Sequence, residues 1–290
     1  MLTRSRLQEL FAEHDIRPDK RLGQNFLIDQ NIFDKITAAA ELTPDDRVIE
    51  IGSGVGNLTM FLAPEVQHVI AVEKSRFLLP LLTETLTAHP NTTIVHGDIL
   101  DLTIKELLAK YPPFMKGRQE EFKLVANIPY NITGHLLRQF LETDTPPSLL
   151  VLLVQRDVAE RLLAEPPDMN LLACSVQYFA DVRIEARVSP NCFFPAPQVD
   201  SSIIVIKPRP EAYQVTKEER ETFFRLLRTG YGQKRKQLAS LLAHELKLDK
   251  QAIERALTAQ RLQPTARAQE LSITNWKSLY TVIPAKAGIA

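Results

Sequence analysis

The sequence has few cysteines, no long apolar run and no excess of either charge. Its 290 residues include two cysteines, Cys174 and Cys192, which are too few for a disulfide framework or a cysteine-rich metal site. The longest apolar run, residues 149–154, is far too short to span a bilayer. The first residues, from Met1 to Arg6, lack the apolar core of a signal peptide. We therefore expect a cytoplasmic protein with reduced thiols, no membrane association and no bound metal.

The formal net charge of zero excludes a protein coated in positive charge, but it permits a local basic face. The basic residues do form two clusters along the chain. These clusters comprise Arg4, Arg6, Arg17, Lys20 and Arg21 in the first and Arg225, Arg228, Lys234, Arg235 and Lys236 in the second. A solvated helix face is the more common reason for such a cluster, so charge alone permits contact with nucleic acid without requiring it.

Short apolar runs alternate with helical stretches between residues 47 and 207. The runs that predict strands are 47–51, 68–72, 93–96, 123–126 and 149–154, and the stretches that predict helices between them are 58–63, 76–88 and 134–142. This alternation predicts an α/β fold, with a mostly parallel sheet covered by helices on both faces. Two more runs, 182–188 and 202–207, flank a proline-rich loop that has no room for a crossover helix. We expect them to form an antiparallel pair at one edge.

A proline-rich connector, Lys207-Pro-Arg-Pro210, divides the chain. The strand pattern stops there, and the remaining residues have the pattern of helices. The predicted helices are 217–228, which Thr216 could cap, 233–246, 250–259 and 270–282. We therefore expect two domains, one over residues 1–207 and a small all-helical one over residues 211–290.

A glycine-rich turn follows the first predicted strand and opens a helix. Its glycines, Gly52, Gly54 and Gly56, have the spacing G-x-G-x-G rather than that of the dinucleotide motif. Glu73 ends the second strand, where an acid would bind ribose hydroxyls, and Asp98 ends the third, where it could face an adenine amino group. S-adenosylmethionine has no phosphate and therefore suits this shorter glycine motif better than a nicotinamide cofactor does.

The fourth predicted strand ends in Asn127-Ile128-Pro129-Tyr130. The side-chain carbonyl of Asn127 and the backbone carbonyl of Ile128, whose conformation Pro129 limits, could accept both hydrogens of an exocyclic amino group. Tyr130 offers a face for stacking on a base. In a chain that also binds a methyl donor, this corner predicts amino-methylation of a nucleic acid base.

With these motifs in place, the chain closely resembles the ribosomal RNA adenine dimethylases, and among them the bacterial type that acts on the small subunit. The resemblance covers nearly the whole chain, and the further segments that carry it are 20–27, 155–162, 193–201, 232–236 and 267–271. One departure is Met169-Asn170, where the family commonly has Tyr-Gly. This departure concerns the substrate side rather than the donor site.

The resemblance implies a class I S-adenosylmethionine-dependent methyltransferase fold, which is Rossmann-like with a mostly parallel seven-stranded sheet, and a helical RNA-binding domain at the C-terminal end. It implies N6,N6-dimethylation of two adjacent adenosines near the 3′ end of 16S rRNA in the immature small ribosomal subunit, by a monomer that needs no metal. The donor-site positions that it carries across are Asn25, Leu27, Gly52, Glu73, Asp98 and Asn127. Those for the target adenine are Asn127, Ile128 and Tyr130, with Phe193 on the other face of the base.

Three alternatives stay open. A 23S rRNA adenine N6-methyltransferase of the macrolide-resistance type has the same chemistry on another RNA, although the long C-terminal domain and the N-terminal extension favour the small-subunit type. A non-catalytic nucleic-acid-binding factor could have the same fold, but intact Asn127, Glu73 and Asp98 argue against lost catalysis. An NAD-dependent dehydrogenase is disfavoured by the glycine spacing.

Overall fold

The computed structural model describes residues 1–19, 22–109, 121–128, 132–233 and 235–282. Within these ranges the chain forms two compact units, one of residues 1–159 and 182–208 and one of residues 160–181 with those from Arg209 onward. The later boundary coincides with the predicted connector. Residues 160–181, which we expected in the first domain, lie in the second unit instead. The division into domains of residues 1–207 and 211–290 stays a prediction, and residues 160–181 depart from it.

Nine strands in the described residues form two sheets. In chain order they are Phe26–Leu27 (β1), Arg47–Ile51 (β2), His68–Glu73 (β3), Thr92–His96 (β4), Lys123–Asn127 (β5), Leu149–Gln155 (β6), Ala180–Val188 (β7), Phe193–Phe194 (β8) and Ser201–Pro208 (β9). The large sheet has seven strands in the order β4-β3-β2-β5-β6-β9-β7, and β1 pairs with β8 in a separate two-stranded sheet.

The large sheet confirms the predicted α/β class. The pairs β4–β3, β3–β2, β2–β5 and β5–β6 are parallel, and β9 is antiparallel to β6. β2 and β3 are buried along their whole length, as expected of parallel strands with helices on both faces. β7, at the edge, instead alternates exposed and less exposed residues.

Helices precede, separate and follow these strands. In chain order they are Arg4–Glu13 (α1), Gln30–Ala39 (α2), Thr59–Leu62 (α3), Leu79–Thr85 (α4), Ile104–Leu108 (α5), Thr133–Leu141 (α6), Arg156–Leu162 (α7), Leu171–Phe179 (α8), Lys217–Tyr231 (α9), Leu238–Leu246 (α10), Lys250–Ala259 (α11) and Ile273–Val282 (α12). α4 begins at Leu79 rather than at residue 76 because Pro80 is tolerated only in a first turn, and it ends at Thr85 rather than at residue 88. Within the described ranges, no helix combines the length and the apolar character that crossing a membrane requires.

The second unit is helical around an aromatic core. The ring of Tyr178 on α8 lies 4.7 Å from that of Phe223 on α9, and Trp276 on α12 is fully buried. Asn170 begins α8, since its Oδ1 accepts a hydrogen bond from the backbone N–H of Ala173 at 3.0 Å. The departure from the family pattern at Met169-Asn170 is therefore a helix N-cap in this chain.

Two features of α9 and α10 bear on the second basic cluster. Thr216 and Glu219 form a capping box that starts α9, as the sequence predicts for Thr216. α10 begins at Leu238 rather than at residue 233, because the backbone of Gln237 is extended. Arg235 and Lys236 are exposed between the two helices, whereas Lys234 lies outside the described residues.

Candidate active site

A cleft of the first unit lies at the carboxyl ends of β2, β3 and β5. It encloses about 980 Å³ when the open space at its mouth is included. It is lined by the glycine turn after β2, by the ends of β3, β4 and β5 and by residues 22–27. Ligands of open parallel sheets bind at this end of the strands, so this cleft is the candidate site.

The glycine turn requires residues without a side chain. Gly52, Gly54 and Gly56 all have positive φ angles, which favour glycine. A Cβ added at Gly54 would lie 3.1 Å from the ring of Phe26, and the Gly54 N–H donates to Oε2 of Glu73 at 2.7 Å. Any side chain at residue 54 would therefore push Phe26 away from the turn.

Glu73 is buried at the end of β3, and it lines the cleft. Its Oε1 accepts a hydrogen bond from the backbone N–H of Ser75 at 2.6 Å, and its Oε2 accepts the one from Gly54. Burial raises the pKa of Glu73, although these backbone N–H groups act to lower it. A carboxylate has about four acceptor positions, so the two oxygens can also accept hydrogen bonds from hydroxyl groups of a ligand.

Asp98 lines the cleft as well, beyond the end of β4. Its Oδ2 lies 2.5 Å from the ammonium of Lys74, and its Oδ1 accepts from the backbone N–H of Leu100 at 3.0 Å. Burial alone would raise the pKa of Asp98, but these two partners together lower it. Lys74, which also lines the cleft, follows Glu73 directly and was not among the residues predicted from the sequence.

Asn127 ends β5 with its side chain in a defined orientation. Its Nδ2 donates to the backbone carbonyl of Asn25 at 3.0 Å. A carbonyl can only accept, so the amide nitrogen must face Asn25 and Oδ1 faces away from it. Oδ1 is therefore the atom of Asn127 that can accept a hydrogen bond from an amino group. The neighbouring Ile128 is buried and lines the cleft, whereas Pro129 and Tyr130 lie outside the described residues.

Residues 22–28, which we call the strap, form one wall of the cleft. The backbone of Phe26 pairs with Phe194 and that of Leu27 with Phe193 in the β1–β8 sheet. The Ile28 N–H donates to the carbonyl of Cys192 at 2.9 Å. The segment that holds Asn25 and Leu27, both predicted for the donor site, is thus joined by main-chain pairing to Phe193, which was predicted for the other face of the target base. Lys20 and Arg21, which precede the strap, lie outside the described residues.

Among the predicted site residues that the structure describes, Gly56 and Phe193 do not line this cleft. Gly56 faces α4, where an added Cβ would lie 3.1 Å from Leu82, so it permits close packing of the turn on that helix. The side chain of Phe193 is fully buried in the core of the first unit, because its strand partner Leu27 and the core of the sheet cover it. Its predicted role on one face of a target base is therefore not evident in this arrangement.

Glu50 lines the cleft from within β2 and was not predicted as a site residue. It is 1% exposed, and its Oε2 accepts a hydrogen bond from the hydroxyl of Thr59 at 2.5 Å. Burial outweighs this hydrogen bond and raises the pKa of Glu50 to about 8. The available signal was an acidic residue inside an otherwise apolar run.

Glu50→Gln should stabilise the protein by an amount that depends on pH. Below its ordinary pKa of 4.5, the carboxyl is protonated in both the folded and the unfolded chain. As the pH rises from there to about 8, the unfolded chain loses the proton while the folded chain retains it, so the free energy of unfolding falls. Glutamine does not titrate. The Tm of the variant, measured by calorimetry, should exceed that of the unmodified protein by a margin that grows across this window, and a constant margin would contradict the assignment.

In the ranges that the structure describes, no group of three or more His, Cys, Asp or Glu side chains could hold a metal ion. The polar groups of the cleft are instead carboxyl and amide groups, set around glycine backbone. They suit an organic ligand that carries hydroxyl and amino groups.

Comparisons with known proteins find relatives over nearly the whole chain. The model of the family described as ribosomal RNA adenine dimethylase matches residues 16–284. The protein named ribosomal RNA small subunit methyltransferase A from Dehalococcoides mccartyi (strain 195) is 40% identical over 95% of this chain and 91% of its own length. The protein of the same name from Pelotomaculum thermopropionicum is 40% identical over 94% of both chains.

Two solved structures are similar over most of the chain. The crystal structure of the 23S rRNA methyltransferase ErmE has a TM-score of 0.72 at 25% identity, and it covers 89% of this chain and 99% of that one. A dimethyladenosine transferase from Plasmodium falciparum has a TM-score of 0.71 at 24% identity, with the same coverage. The second likeness concerns the fold alone.

Proposed function

The chain belongs to the ribosomal RNA adenine dimethylase family, and from this we propose that it transfers methyl groups from S-adenosylmethionine to N6 of two adjacent adenosines near the 3′ end of 16S rRNA. The observation that carries the proposal is the orientation of Asn127 at the edge of the donor cleft, with its amide nitrogen on the Asn25 carbonyl. In this proposal the substrate is RNA of the immature small ribosomal subunit, and the enzyme acts as a cytoplasmic monomer without a metal.

The residues of the cleft fit the proposed donor. Glu73 would accept hydrogen bonds from the ribose hydroxyls, and Asp98 would face the adenine amino group. The backbone of Gly52 and Gly54 lets a ligand approach the turn closely, and the strap residues Asn25 and Leu27 would cover it. When it is bound there, S-adenosylmethionine supplies an electrophilic methyl group on a sulfonium.

The protein side of the reaction rests on hydrogen bonding and alignment. The N6 amine of adenine is a poor nucleophile because its lone pair is delocalised into the ring. Oδ1 of Asn127 and the Ile128 carbonyl would accept its two hydrogens and favour the pyramidal nitrogen that attacks. Catalysis then comes from in-line positioning and from electrostatic stabilisation, and the proton can leave after transfer without a dedicated base.

The base must leave its stack to reach this corner. Tyr130 is proposed to stack on one face of it, for about 1–3 kcal/mol by the usual magnitude of such contacts. Phe193 would need to be uncovered to take the other face, since its ring is buried. We therefore expect this side of the pocket to form only when RNA binds.

A radiolabelled methyl-transfer assay tests the function directly. Small subunits from a strain that lacks the N6,N6-dimethyladenosines are the substrate, and large subunits are the matched control. Label in 16S rRNA that blocks primer extension near the 3′ end supports the proposal. Label in 23S rRNA would support the macrolide-resistance type instead, and no label in either RNA would support a non-catalytic binding factor.

The exposed arginines of α9 are expected to contact the RNA backbone. Arg225 and Arg228 are exposed near the C-terminal end of this helix, and neither forms an ion pair within the described ranges. Replacing both with alanine should weaken binding to undermethylated small subunits about tenfold and reduce the slope of log affinity against log salt by about 2. The measurement is a filter-binding titration at several salt concentrations.

Lys250→Ala is the matched control for these arginines. Lys250 is a basic residue on α11 of the same unit, but its ammonium lies 3.4 Å from the carboxylate of Glu254. The control should leave both the affinity and its salt slope close to those of the unmodified protein. An equal loss in the control and in the double variant would mean that overall charge, rather than this part of α9, governs RNA binding.

A further inference from the structure

Asn57 follows the last glycine of the turn, and its side chain bonds to the N-terminal part of the chain. The residue is 4% exposed. Its Nδ2 donates to the carbonyl of Leu27 at 2.9 Å and to that of Leu2 at 3.1 Å, while its Oδ1 accepts from the Leu2 N–H at 2.8 Å. One buried amide therefore ties both the first residues and the strap to the glycine turn, across 55 residues of sequence in the case of Leu2.

The packing of α1 also holds the strap against the glycine turn. The apolar face of α1 lies in one cluster with Phe26 of the strap and Val55 of the glycine turn. The ring of Phe11 on α1 meets that of Phe26 edge to face at 5.3 Å. Phe26 in turn fills the space that the missing side chain of Gly54 leaves. The N-terminal segment is therefore packed behind the wall of the cleft.

Asn25 of the strap contacts Asn127, the residue that is proposed to hold the target amine. Asn57 holds the Leu27 carbonyl, and the Asn25 carbonyl two residues earlier accepts from Nδ2 of Asn127. The strap is short and is fixed at both points. Without the Asn57 bond, only the β1–β8 pairing and its neighbouring hydrogen bond would hold this part of the strap. The Asn25 carbonyl could then shift relative to Asn127 and would fix the orientation of the Asn127 amide less firmly.

We propose that Asn57 is a positioning residue for methyl transfer. It holds the strap against the glycine turn, and it thereby shapes the donor cleft and keeps the Asn25 carbonyl where it orients Asn127. The effect on transfer rests on the proposed function. The effects on donor affinity and on the order of the N-terminal segment do not depend on any RNA substrate, so they can be tested separately.

The test uses Asn57→Ala and Asn57→Asp in the full chain, with Asn91→Ala as the matched control. Aspartate keeps the size of the side chain but cannot donate to the two carbonyls. Asn91 also donates to two carbonyls, those of Ala63 at 2.7 Å and Val66 at 3.1 Å, but it does not line the cleft. The control therefore removes comparable hydrogen bonds at a site away from the cleft.

Both Asn57 variants should bind S-adenosylmethionine about tenfold more weakly by calorimetry, the size expected for losing buried hydrogen bonds. Hydrogen exchange, read by mass spectrometry, should accelerate in residues 2–13 and 22–28. The single-turnover transfer rate at saturating donor should fall as well, which a defect in donor binding alone would not cause. Asn91→Ala should leave donor affinity, exchange in these segments and the transfer rate unchanged.

Leu2→Pro gives an independent variant should the Asn57 variants fail to fold. Proline lacks the backbone N–H that, in Leu2, donates a hydrogen bond to Oδ1 of Asn57. Leu2 does not line the cleft. Leu2→Pro should also weaken donor binding and accelerate hydrogen exchange, by smaller factors than the Asn57 variants do. Unchanged donor affinity in Asn57→Asp and in Leu2→Pro, or an unchanged transfer rate at saturating donor, would overturn the positioning role. Altered affinity and exchange in a protein that methylates no rRNA would instead overturn only the proposed function.

Discussion

Asn127→Asp should lower the rate of methyl transfer by at least about a hundredfold, which is the effect of removing one well-placed hydrogen-bonding group from a catalytic site. The substitution keeps an oxygen that could accept from the target amine. It removes the N–H that reaches the Asn25 carbonyl, and it places a carboxylate against that carbonyl instead. Repulsion between the two oxygens would turn the group away from the orientation that the amide holds.

Asn127→Ala should reduce the rate at least as much, because it removes the acceptor altogether. Donor affinity should fall less than the rate in both variants, since the other cleft residues remain. The measurements are single-turnover transfer to undermethylated small subunits and calorimetric titration of S-adenosylmethionine. Asn91→Asp is the control, because it introduces the same amide-to-acid change next to two carbonyls outside the cleft. An unchanged rate in Asn127→Asp would exclude the proposed role of this amide.

Glu73→Ala should weaken S-adenosylmethionine binding by about a hundredfold or more. The variant loses the acceptor for the ribose hydroxyls, and it also leaves the buried N–H groups of Gly54 and Ser75 without their partner, each at a cost of about 1–3 kcal/mol. Since the Gly54 N–H belongs to the glycine turn, the turn itself should relax. The same loss should lower Tm, so titrations belong at a temperature where circular dichroism shows the variant fully folded.

Two further variants separate the role of the Glu73 carboxylate from that of its volume and charge. Glu73→Gln keeps the volume, but its amide nitrogen cannot accept from a backbone N–H, so it should recover little of the affinity. Glu65→Ala, which removes an exposed acid outside the cleft, should change neither affinity nor Tm noticeably. If Glu73→Ala bound the donor as tightly as the unmodified protein, the ribose would have to be held by other residues.

The sheet was predictable from the sequence because its signal is local. The apolar runs at residues 47–51 and 149–154 coincide with β2 and β6 to within a residue, since strands buried on both faces have little choice but Val, Ile and Leu. The glycine turn was predictable for a similar reason. Three glycines in five residues directly after a strand indicate a backbone that must turn tightly, and all three have positive φ angles.

The strap and its contacts could not be predicted in this way. Asn57 bonds to Leu2 and Leu27 through a side chain and main-chain carbonyls, and such contacts between distant residues leave no periodic trace in a sequence. The sequence leaves core packing and base stacking equally open for Phe193, because a motif gives the residue type but not the residues that cover its side chain, which here include Leu27. Glu50 was not predicted as a site residue, because a single acidic residue in an apolar run does not indicate which side of its strand faces a cleft.

The path of the chain also limits how the protein can be divided. α8 lies between β6 and β7 in sequence, yet its buried face of Ala173, Cys174, Val176, Tyr178 and Phe179 packs within the second unit. Cutting the gene after Pro208 would leave that face without Phe223 and Phe224, and the resulting fragment would expose an apolar patch that promotes aggregation. A fragment limited to the first unit would therefore also have to lose residues 160–181. The two units are therefore not interchangeable modules. A single crossover at the connector separates α8 from α9, so recombination between relatives should require a second crossover that takes both helices from the same parent.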